Sequence, residues 1–397
     1  MFAMTYTMSK SKSIILYISI YIGMFDLTVF KTANSIGQLL TFSILFLFFY
    51  KDSVPIFYKA IVIWFVFIIY SNVMALYHGE SVYHYVFVMI KTFLIFANAM
   101  IIANLLLKYN VSSLYIFISV VFLIQAVSLA LYNIDIWQGF RGFFLSSRAS
   151  HIEENFGDSF WYRDATLSNQ GFSGYALGIL PLVMIGIHKI LDSKLMSFEY
   201  WAAVISCALG IAVAMVNGRS VFLIIPMYML YLVLKPKKIM TLYKGVPLLL
   251  LIASVITFIM LFFDIPSYFV LAMFEQKDNA GGFDSVNDLL TNHIRIKFDV
   301  TFFGLGQYMT SHGAYVKSDI GYYRQLGVGG LCLIVIYILS SYLSIRHFTD
   351  RIFAFFCLSM VLLVNFKQEA FNNTMLIYGI FILIAFEAQT QKRLLKI

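Results

Sequence analysis

The chain has 397 residues, of which 61% are hydrophobic and 12% are charged, and its formal net charge is +8. A soluble domain carries about 25% charged residues, so this composition and a mean hydropathy of +0.84 exclude an ordinary soluble protein. The three cysteines, Cys207, Cys332 and Cys357, lie in apolar stretches and predict neither a disulfide framework nor a metal site. We expect a polytopic membrane protein with a single domain over residues 1–397.

Long apolar stretches follow one another along most of the chain. A membrane-spanning helix needs about 20 apolar residues, and about twelve stretches of suitable length predict an all-α membrane protein. The seventh and eighth are short and are joined by Asn217-Gly218-Arg219-Ser220, so we expect them to be tilted or interrupted beside a cavity. The helices are placed at 13–30, 35–50, 56–77, 82–106, 111–133, 171–190, 199–216, 220–234, 246–263, 326–345, 352–366 and 371–388.

The orientation follows from the basic residues, because Lys and Arg collect in the cytoplasmic loops of membrane proteins. With the N-terminus inside, most basic residues fall in the internal loops, and the external loops are slightly acidic. Both termini are therefore predicted to be cytoplasmic. The basic character of the chain then reflects topology, and no binding to nucleic acid is expected. Two long loops, about 134–170 and 264–325, are predicted to face outward.

Both long loops have features of ordered, functional segments. The first loop is rich in aromatic residues and arginine. The second contains apolar residues at helical spacing, which predicts an amphipathic helix on the membrane surface; these residues are Val286, Leu289, Leu290 and Ile294.

Each long loop also carries an arginine that is followed eleven residues later by a glycine. The pairs are Arg163 with Gly174, and Arg295 with Gly306. A guanidinium group offers a planar fork of donors that matches phosphate oxygens, and glycine lets backbone approach closely. We therefore interpret Arg163 and Arg295 as candidate ligands of a phosphate-containing substrate, with headgroup anchoring as the alternative.

Other polar residues are weaker candidates. Arg219 either anchors to headgroups or points into the same cavity as the loop arginines. Lys91 lies inside the fourth predicted span, where a charge is a functional hypothesis by default; the alternatives are a pair with Asp26 or a side chain that snorkels outward. His312 is the first candidate for a general base, and Asp319 is the second. No cluster of residues has the spacing of a metal site, so we expect no metal.

A set of motifs in this layout resembles a known family. The turn at Arg219-Ser220 is followed by a run before a late helix that contains Gly304, Gly306, His312, Asp319, Tyr322, Leu326, Gly327 and Gly330. Together with the twelve spans and the two loop arginines, these residues resemble the Wzy-type O-antigen polymerases, within the clan that also contains the O-antigen ligases. The likeness in layout covers nearly the whole chain.

The resemblance implies a metal-independent glycosyltransferase in the bacterial inner membrane, with its active site facing the periplasm and no cofactor. Its substrates would be oligosaccharides linked to undecaprenyl diphosphate, and its partners would be membrane lipid, a chain-length regulator and a flippase. The growing glycan would be transferred to the non-reducing sugar of an incoming repeat. Arg163, Arg295, Arg219, Arg324 and Lys91 would then bind the diphosphate or glycan, beside Gly174 and Gly306, and His312 or Asp319 would act as the base.

Two alternatives stay open at this point. The first is an O-antigen ligase of the same clan, which transfers finished polymer to the lipid A core. The second is a flippase for lipid-linked oligosaccharides. A flippase is disfavoured because charges within the spans are few and the polar residues concentrate in outward loops.

Overall fold

The computed structural model describes residues 8–27, 36–78, 82–109, 114–131, 134–144, 172–217, 227–228, 230–231, 243–262, 302–304, 309–310, 313–314, 321–366 and 370–394. Within these ranges the chain is helical apart from short turns and one small ribbon, in which β1 (Met309–Thr310) pairs antiparallel with β2 (Gly313–Ala314). The helices are α1 Lys10–Phe25, α2 Ile36–His78, α3 Val82–Tyr109, α4 Leu114–Ala130, α5 Asp135–Phe144, α6 Phe172–Gly178, α7 Leu180–Asp192, α8 Phe198–Asn217, α9 Val246–Phe262, α10 Gly321–Arg346, α11 Arg351–Asn365 and α12 Thr374–Leu394.

Within the described ranges, four helical stretches are long and apolar enough to cross a membrane: Ile36–Met74, Val88–Tyr109, Phe198–Asn217 and Gln325–Arg346. Shorter apolar stretches cover Leu114–Ala130, Tyr243–Ser254, Arg351–Asn365 and Thr374–Thr390. The all-helical class expected from the sequence is confirmed, and these apolar helices are those of a membrane-embedded protein. The number of crossings and the orientation stay predictions.

The second and third predicted helices follow one another without a loop as α2, which turns back on itself near Phe49. The backbone of Phe49 is non-helical, with φ −130° and ψ 31°. Phe46 lies before this residue and Phe57 after it, and their rings are 5.4 Å apart. A straight helix would separate these positions by about 16 Å. Ser53 Oγ also donates to Leu45 O at 3.1 Å. Pro55 fits here because it lies in the first turns after the bend. Residues 36–48 and 50–78 therefore act as two antiparallel helices.

Three other predicted segments differ from the structure in detail. The stretch 171–190 is divided into α6 and α7 at Ile179, because Pro181 cannot donate the N–H that would continue the helix. The first long loop contains a helix of its own, α5. Helix α10 begins at Gly321, inside the predicted second loop, and has a non-helical residue at Gly330. The amphipathic helix predicted around 286–294 lies outside the described residues.

Helices α3 and α12 lie side by side in the centre of the bundle and run in the same direction. Thr92 Oγ1 in α3 is hydrogen-bonded to Asn372, which lies just before α12, and Gln389 Nε2 donates to Leu106 O at 2.8 Å near the ends of both helices. Small buried residues of α3 permit close packing between helices in a bundle of this kind; they are Ala97, Ala99 and Ala103. This central pair defines two ends, which we name the Asp26 end and the Glu387 end after a buried carboxylate at each.

Candidate functional site at the Asp26 end

Several helices stop short at the Asp26 end, partway along α3. Helix α1 ends at Phe25 and α12 begins at Thr374, whose Oγ1 donates to Met24 O at 2.7 Å. Lys91, on α3, meets the residue that follows α1, and it lies nine residues after the first residue of α3. Nine residues of helix measure about 13 Å. The ends of α1 and α12 therefore meet well below the tip of α3, within the apolar part of the bundle.

Asp26 lies at this junction and is held there at an energetic cost. Its side chain is 1% exposed, and its backbone adopts the left-handed conformation with φ 50° at the C-terminus of α1. A buried carboxylate is costly unless it is paired, a negative charge is unfavourable at a helix C-terminus, and a non-glycine residue rarely adopts this backbone conformation. Residues that keep such costs are found most often at functional sites.

Lys91 provides the compensating charge. Its Nζ lies 2.6 Å from Asp26 Oδ2, and its side chain is 15% exposed against 1% for Asp26. Of the two alternatives raised from the sequence, the pair with Asp26 is the one that the structure contains. The ammonium group is the more accessible member of the pair, so a ligand arriving here would meet a cation first. Binding of diphosphate by Lys91 stays a prediction.

An amide network around Gln38 connects this pair to the bundle core. Gln38 Nε2 donates to Gly23 O at 2.7 Å and to Asp26 Oδ1 at 3.3 Å. Tyr378 Oη donates to Gln38 Oε1 at 2.9 Å, and Asn98 Nδ2 donates to Gln38 O at 3.0 Å. Asn98 Oδ1 is buried, and within the part of the chain that the structure describes no hydrogen-bond donor is directed at it. Polar groups from four helices thus meet in an otherwise apolar interior.

Glycines make this convergence possible, and they are not the glycines singled out from the sequence. A Cβ on Gly23 would lie 2.4 Å from Tyr378 Oη, and one on Gly37 would lie 2.7 Å from Leu27 O. A Cβ on Gly178 would lie 2.6 Å from Met375 Cβ. Each of these positions therefore needs a residue without a side chain. Apolar periodicity does not distinguish them from other helical glycines, which is why the sequence did not reveal them.

Gly174, the predicted partner of Arg163, lies inside α6 and not in a turn. Its carbonyl oxygen accepts a hydrogen bond from Asn373 Nδ2 at 2.8 Å. Any residue offers the same carbonyl, so this contact does not explain the glycine. This hydrogen bond joins α6 to the start of α12 beside the Asp26 junction.

The first long loop contributes a buried arginine that the sequence did not single out. Helix α5 carries Arg141, which is 2% exposed and whose Nη1 donates to Gln138 Oε1 at 2.8 Å. Its neighbours Ile136 and Phe140 are 86% and 47% exposed. Apolar side chains thus face outward from α5 while the guanidinium faces inward, as expected for a helix with a lipid-facing side.

Most of the residues predicted for the site lie outside the described residues. They are Arg163, Arg219, Arg295, Gly306, His312 and Asp319, so their convergence stays a prediction. His312 lies in the sequence between β1 and β2. Arg324 is in the first turn of α10, and its side chain is not among those described. Tyr322, from the same motif, donates its hydroxyl to Leu362 O at 3.0 Å.

The opposite end holds a second buried polar cluster that sequence reasoning missed. His188 Nδ1 lies 2.6 Å from Tyr231 Oη and 3.1 Å from Glu387 Oε1, and its Nε2 lies 2.8 Å from Asp192 Oδ2. The spacing of His188 and Asp192, four residues apart on one helix, was the available signal. The two ring nitrogens face different carboxylates, and the part of the chain that the structure describes has no group of residues able to hold a metal ion.

A cavity of about 470 Å³ opens beside this cluster. Its lining includes His347, Asp350 and Glu387. Burial, together with the Lys59 ammonium, lowers the pKa of His347. The His347 Nε2 atom lies 3.4 Å from Lys59 Nζ. The lining mixes both charges, and it favours no particular class of ligand.

Comparison with known proteins adds no relative to these observations. No family model, curated protein or solved structure matches this chain. What the Asp26 end does is therefore inferred from its own described residues, above all the buried Asp26–Lys91 pair and the amide network around Gln38.

Proposed function

We propose that this protein polymerises lipid-linked oligosaccharide repeats at its Asp26 end, as part of O-antigen or related surface polysaccharide synthesis. The growing glycan would pass from undecaprenyl diphosphate to the non-reducing sugar of an incoming lipid-linked repeat. In this reaction the acceptor hydroxyl attacks the anomeric carbon of the donor. The bond to the donor diphosphate breaks, and undecaprenyl diphosphate leaves with the negative charge.

The observation that supports the proposal is that the buried polar groups and the helix ends that border both long loops share one end of an apolar bundle. Helix α9 begins close to Lys244, whose Nζ donates to Ser193 O at the Glu387 end, so α9 leaves toward the Asp26 end. Helix α10 ends beside Lys59 and His347 at the Glu387 end, so it starts at the Asp26 end. The second loop joins these two helices. The first loop follows α4, whose Gln125 donates to Tyr21 near the end of α1.

The distribution of charge supports an outward-facing Asp26 end. Lys and Arg of the described residues collect at the Glu387 end, as expected for a cytoplasmic side; they include Lys51, Lys108, Lys189, Lys194, Lys244, Arg346 and Arg351. On this orientation the Asp26 end faces the periplasm of a bacterial inner membrane. Lipid diphosphate is already an activated leaving group there, so the reaction needs no nucleotide, metal or other cofactor.

The proposed division of work follows from the chemistry of each residue. Arg163 and Arg295, assisted by Arg219 or Arg324, would stabilise the charge that develops on the leaving diphosphate, and loss of one such donor costs on the order of 3 kcal/mol. His312 or Asp319 would take the proton of the acceptor hydroxyl, which contributes on the order of 10²–10⁴-fold in rate. Metal ions have no function in this scheme.

The decisive experiment replaces Arg163 or Arg295 with Ala in cells that make the polysaccharide. We expect a single repeat on the lipid anchor in place of a ladder, because the diphosphate charge is no longer stabilised. Arg351→Ala, an exposed arginine at the Glu387 end, is the matched control and should keep the ladder. Arg→Lys at either loop position should restore only part of the activity, since Lys lacks the planar fork.

Other outcomes would identify other functions. A normal ladder in both Ala variants would overturn the proposal. Finished polymer left on the carrier lipid would indicate the ligase, and single repeats confined to the cytoplasmic leaflet would indicate the flippase. Reporters fused after Lys238 and after Asn279 test the orientation; the first should be cytoplasmic and the second external.

A further inference from the structure

Helix α10 is broken at Gly330, and a short piece of the second long loop packs against the break. Gly330 has φ 65° and ψ −163°, a conformation open only to glycine. Gly304, from the loop, has φ 75°. A Cβ on Gly304 would lie 2.5 Å from Gly330 N and 2.6 Å from Gly329 N. Two glycines with positive φ therefore meet backbone to backbone: Gly330 has a conformation restricted to glycine, and a side chain on Gly304 would overlap the backbone of α10.

The hydrogen bonds at the break join the loop piece, residues 302–304, to α10 and α2. The N–H of Cys332, two residues after the break, donates to Phe302 O at 3.2 Å. Tyr70 Oη of α2 lies 2.5 Å from Gly329 O and 3.3 Å from Phe303 O. Its one hydroxyl hydrogen is thus directed at carbonyls of both segments. A helix break or an irregular segment leaves backbone groups without helical hydrogen-bond partners. Here the neighbouring segments supply those partners.

This contact lies inside the apolar region of the bundle. Tyr70 belongs to the second arm of α2, residues 50–78, and Gly329, Gly330 and Cys332 belong to Gln325–Arg346; both lie in the apolar stretches that are candidates to cross a membrane. Phe302 and Phe303 are 61% and 56% exposed, so their rings face the surroundings of the bundle. Irregular backbone is tolerated at membrane depth only where protein satisfies its polar groups. At residues 302–304 the carbonyl groups of Phe302 and Phe303 are satisfied in this way by Cys332 and Tyr70.

We propose that residues 302–304 are a membrane-inserted anchor of the second long loop, and that Gly304, Gly330 and Tyr70 are positioning residues for the groups that this loop carries. Arg295 precedes Phe302 by seven residues, and His312 follows Gly304 by eight. An extended chain spans at most about 3.5 Å per residue, so the anchor keeps both groups within about 28 Å of the Gly330 break. The positioning of Arg295 and His312 rests on the proposed function; the existence of the anchor does not.

The anchor itself is tested by a cross-link that needs no activity. Phe302→Cys, combined with the native Cys332, should form a disulfide under mild oxidation in membranes, because the backbones of these residues share a hydrogen bond. Trypsin should then release peptide 298–317 joined to peptide 325–346, which mass spectrometry detects. Phe302→Cys with Cys332→Ser is the control and should give no joined peptide. Failure of both the disulfide and a short bis-maleimide cross-link between the same two cysteines in correctly inserted protein would overturn the anchor.

The positioning role is tested by the length of the glycan at matched protein abundance. Gly304→Ala should lower polymerisation about 100-fold, since a small displacement of catalytic groups has effects of this size. Tyr70→Phe, which removes one hydroxyl, should lower it about fivefold. The controls are Gly245→Ala, where no atom of the described residues lies within 4 Å of the added Cβ, and Tyr58→Phe at an exposed tyrosine.

The outcomes separate the two proposals. A disulfide together with a normal ladder in Gly304→Ala and Tyr70→Phe would overturn the positioning role and leave the polymerase standing. A disulfide together with a normal ladder in Arg163→Ala and Arg295→Ala would overturn the polymerase and leave the anchor standing. If Gly304→Ala does not accumulate, Tyr70→Phe and the disulfide decide the question.

Discussion

The two ends of the bundle each bury a carboxylate against a base from another helix, but they do so in different surroundings. At the Glu387 end the other ion pairs are partly exposed, such as Lys108–Asp52 and Lys189–Glu199. At the Asp26 end, α1 and α12 stop inside the bundle, and Asp26 lies at a helix C-terminus in a left-handed conformation. The carboxylate of Glu387 links neighbouring helices. The carboxylate of Asp26 lies at a helix C-terminus, where the helix dipole disfavours a negative charge, so its position needs a different explanation.

The largest expected effect comes from leaving Asp26 without its cation. Lys91→Met should lower the free energy of unfolding by about 4 kcal/mol, because it strands a buried charge. The double variant Lys91→Met with Asp26→Asn should recover most of this loss, since Asn tolerates the left-handed conformation. Thermal unfolding of the purified protein in detergent measures both. Equal stability of the single and the double variant would show that Asp26 does not depend on Lys91.

A smaller effect is expected from filling the space at Gly23. Gly23→Ala should cost about 2 to 3 kcal/mol, because the added methyl group overlaps the ring of Tyr378 and its hydroxyl. Gly139→Ala is the matched control, since in the part of the chain that the structure describes no atom lies within 4 Å of the added Cβ, and it should change stability by less than about 0.5 kcal/mol. Equal melting temperatures of the two variants would mean that the Asp26 end is less closely packed than the structure indicates.

The smallest effect in this comparison concerns Glu387. Glu387→Gln keeps an oxygen for Tyr231 and His188 but removes the charge, and it should cost about 2 kcal/mol. Glu199→Ala, in an exposed pair with Lys189, should cost less than about 0.5 kcal/mol. Neither change should alter the glycan ladder at equal protein abundance. Loss of the ladder in Glu387→Gln alone would indicate that the reaction takes place at the Glu387 end, which would contradict our proposal.

Helix positions were well predicted, and the errors have local causes. The stretches 199–216, 246–263 and 352–366 agree with α8, α9 and α11 to within one residue at each end. The predicted helix 13–30 instead ends at Phe25, because Asp26 adopts the left-handed conformation. The predicted helix 326–345 contains the break at Gly330, which apolar content does not reveal, since glycine fits an unbroken membrane helix equally well.

The candidate site was harder to predict than the helices. The sequence identified Lys91 as unusual and named Asp26 as one possible partner, and this pairing is present. It gave no reason to choose Gly23, Gly37 and Gly178 over other glycines, because their requirement comes from atoms of distant helices. The predicted Arg163, Arg295 and His312 stay predictions, since they lie outside the described residues.

What the sequence determined by itself is the membrane-helical class, the helix positions and the asymmetry of basic residues. These follow from local rules: apolar length must match the hydrocarbon layer, and backbone groups in lipid must bond within their own helix. Only the tertiary structure decided that Lys91 meets Asp26 across 65 positions of sequence, and that Gly304 meets Gly330. Contacts of this kind depend on where helices cross and how closely their backbones approach, and the apolar pattern of each helix is compatible with many such arrangements.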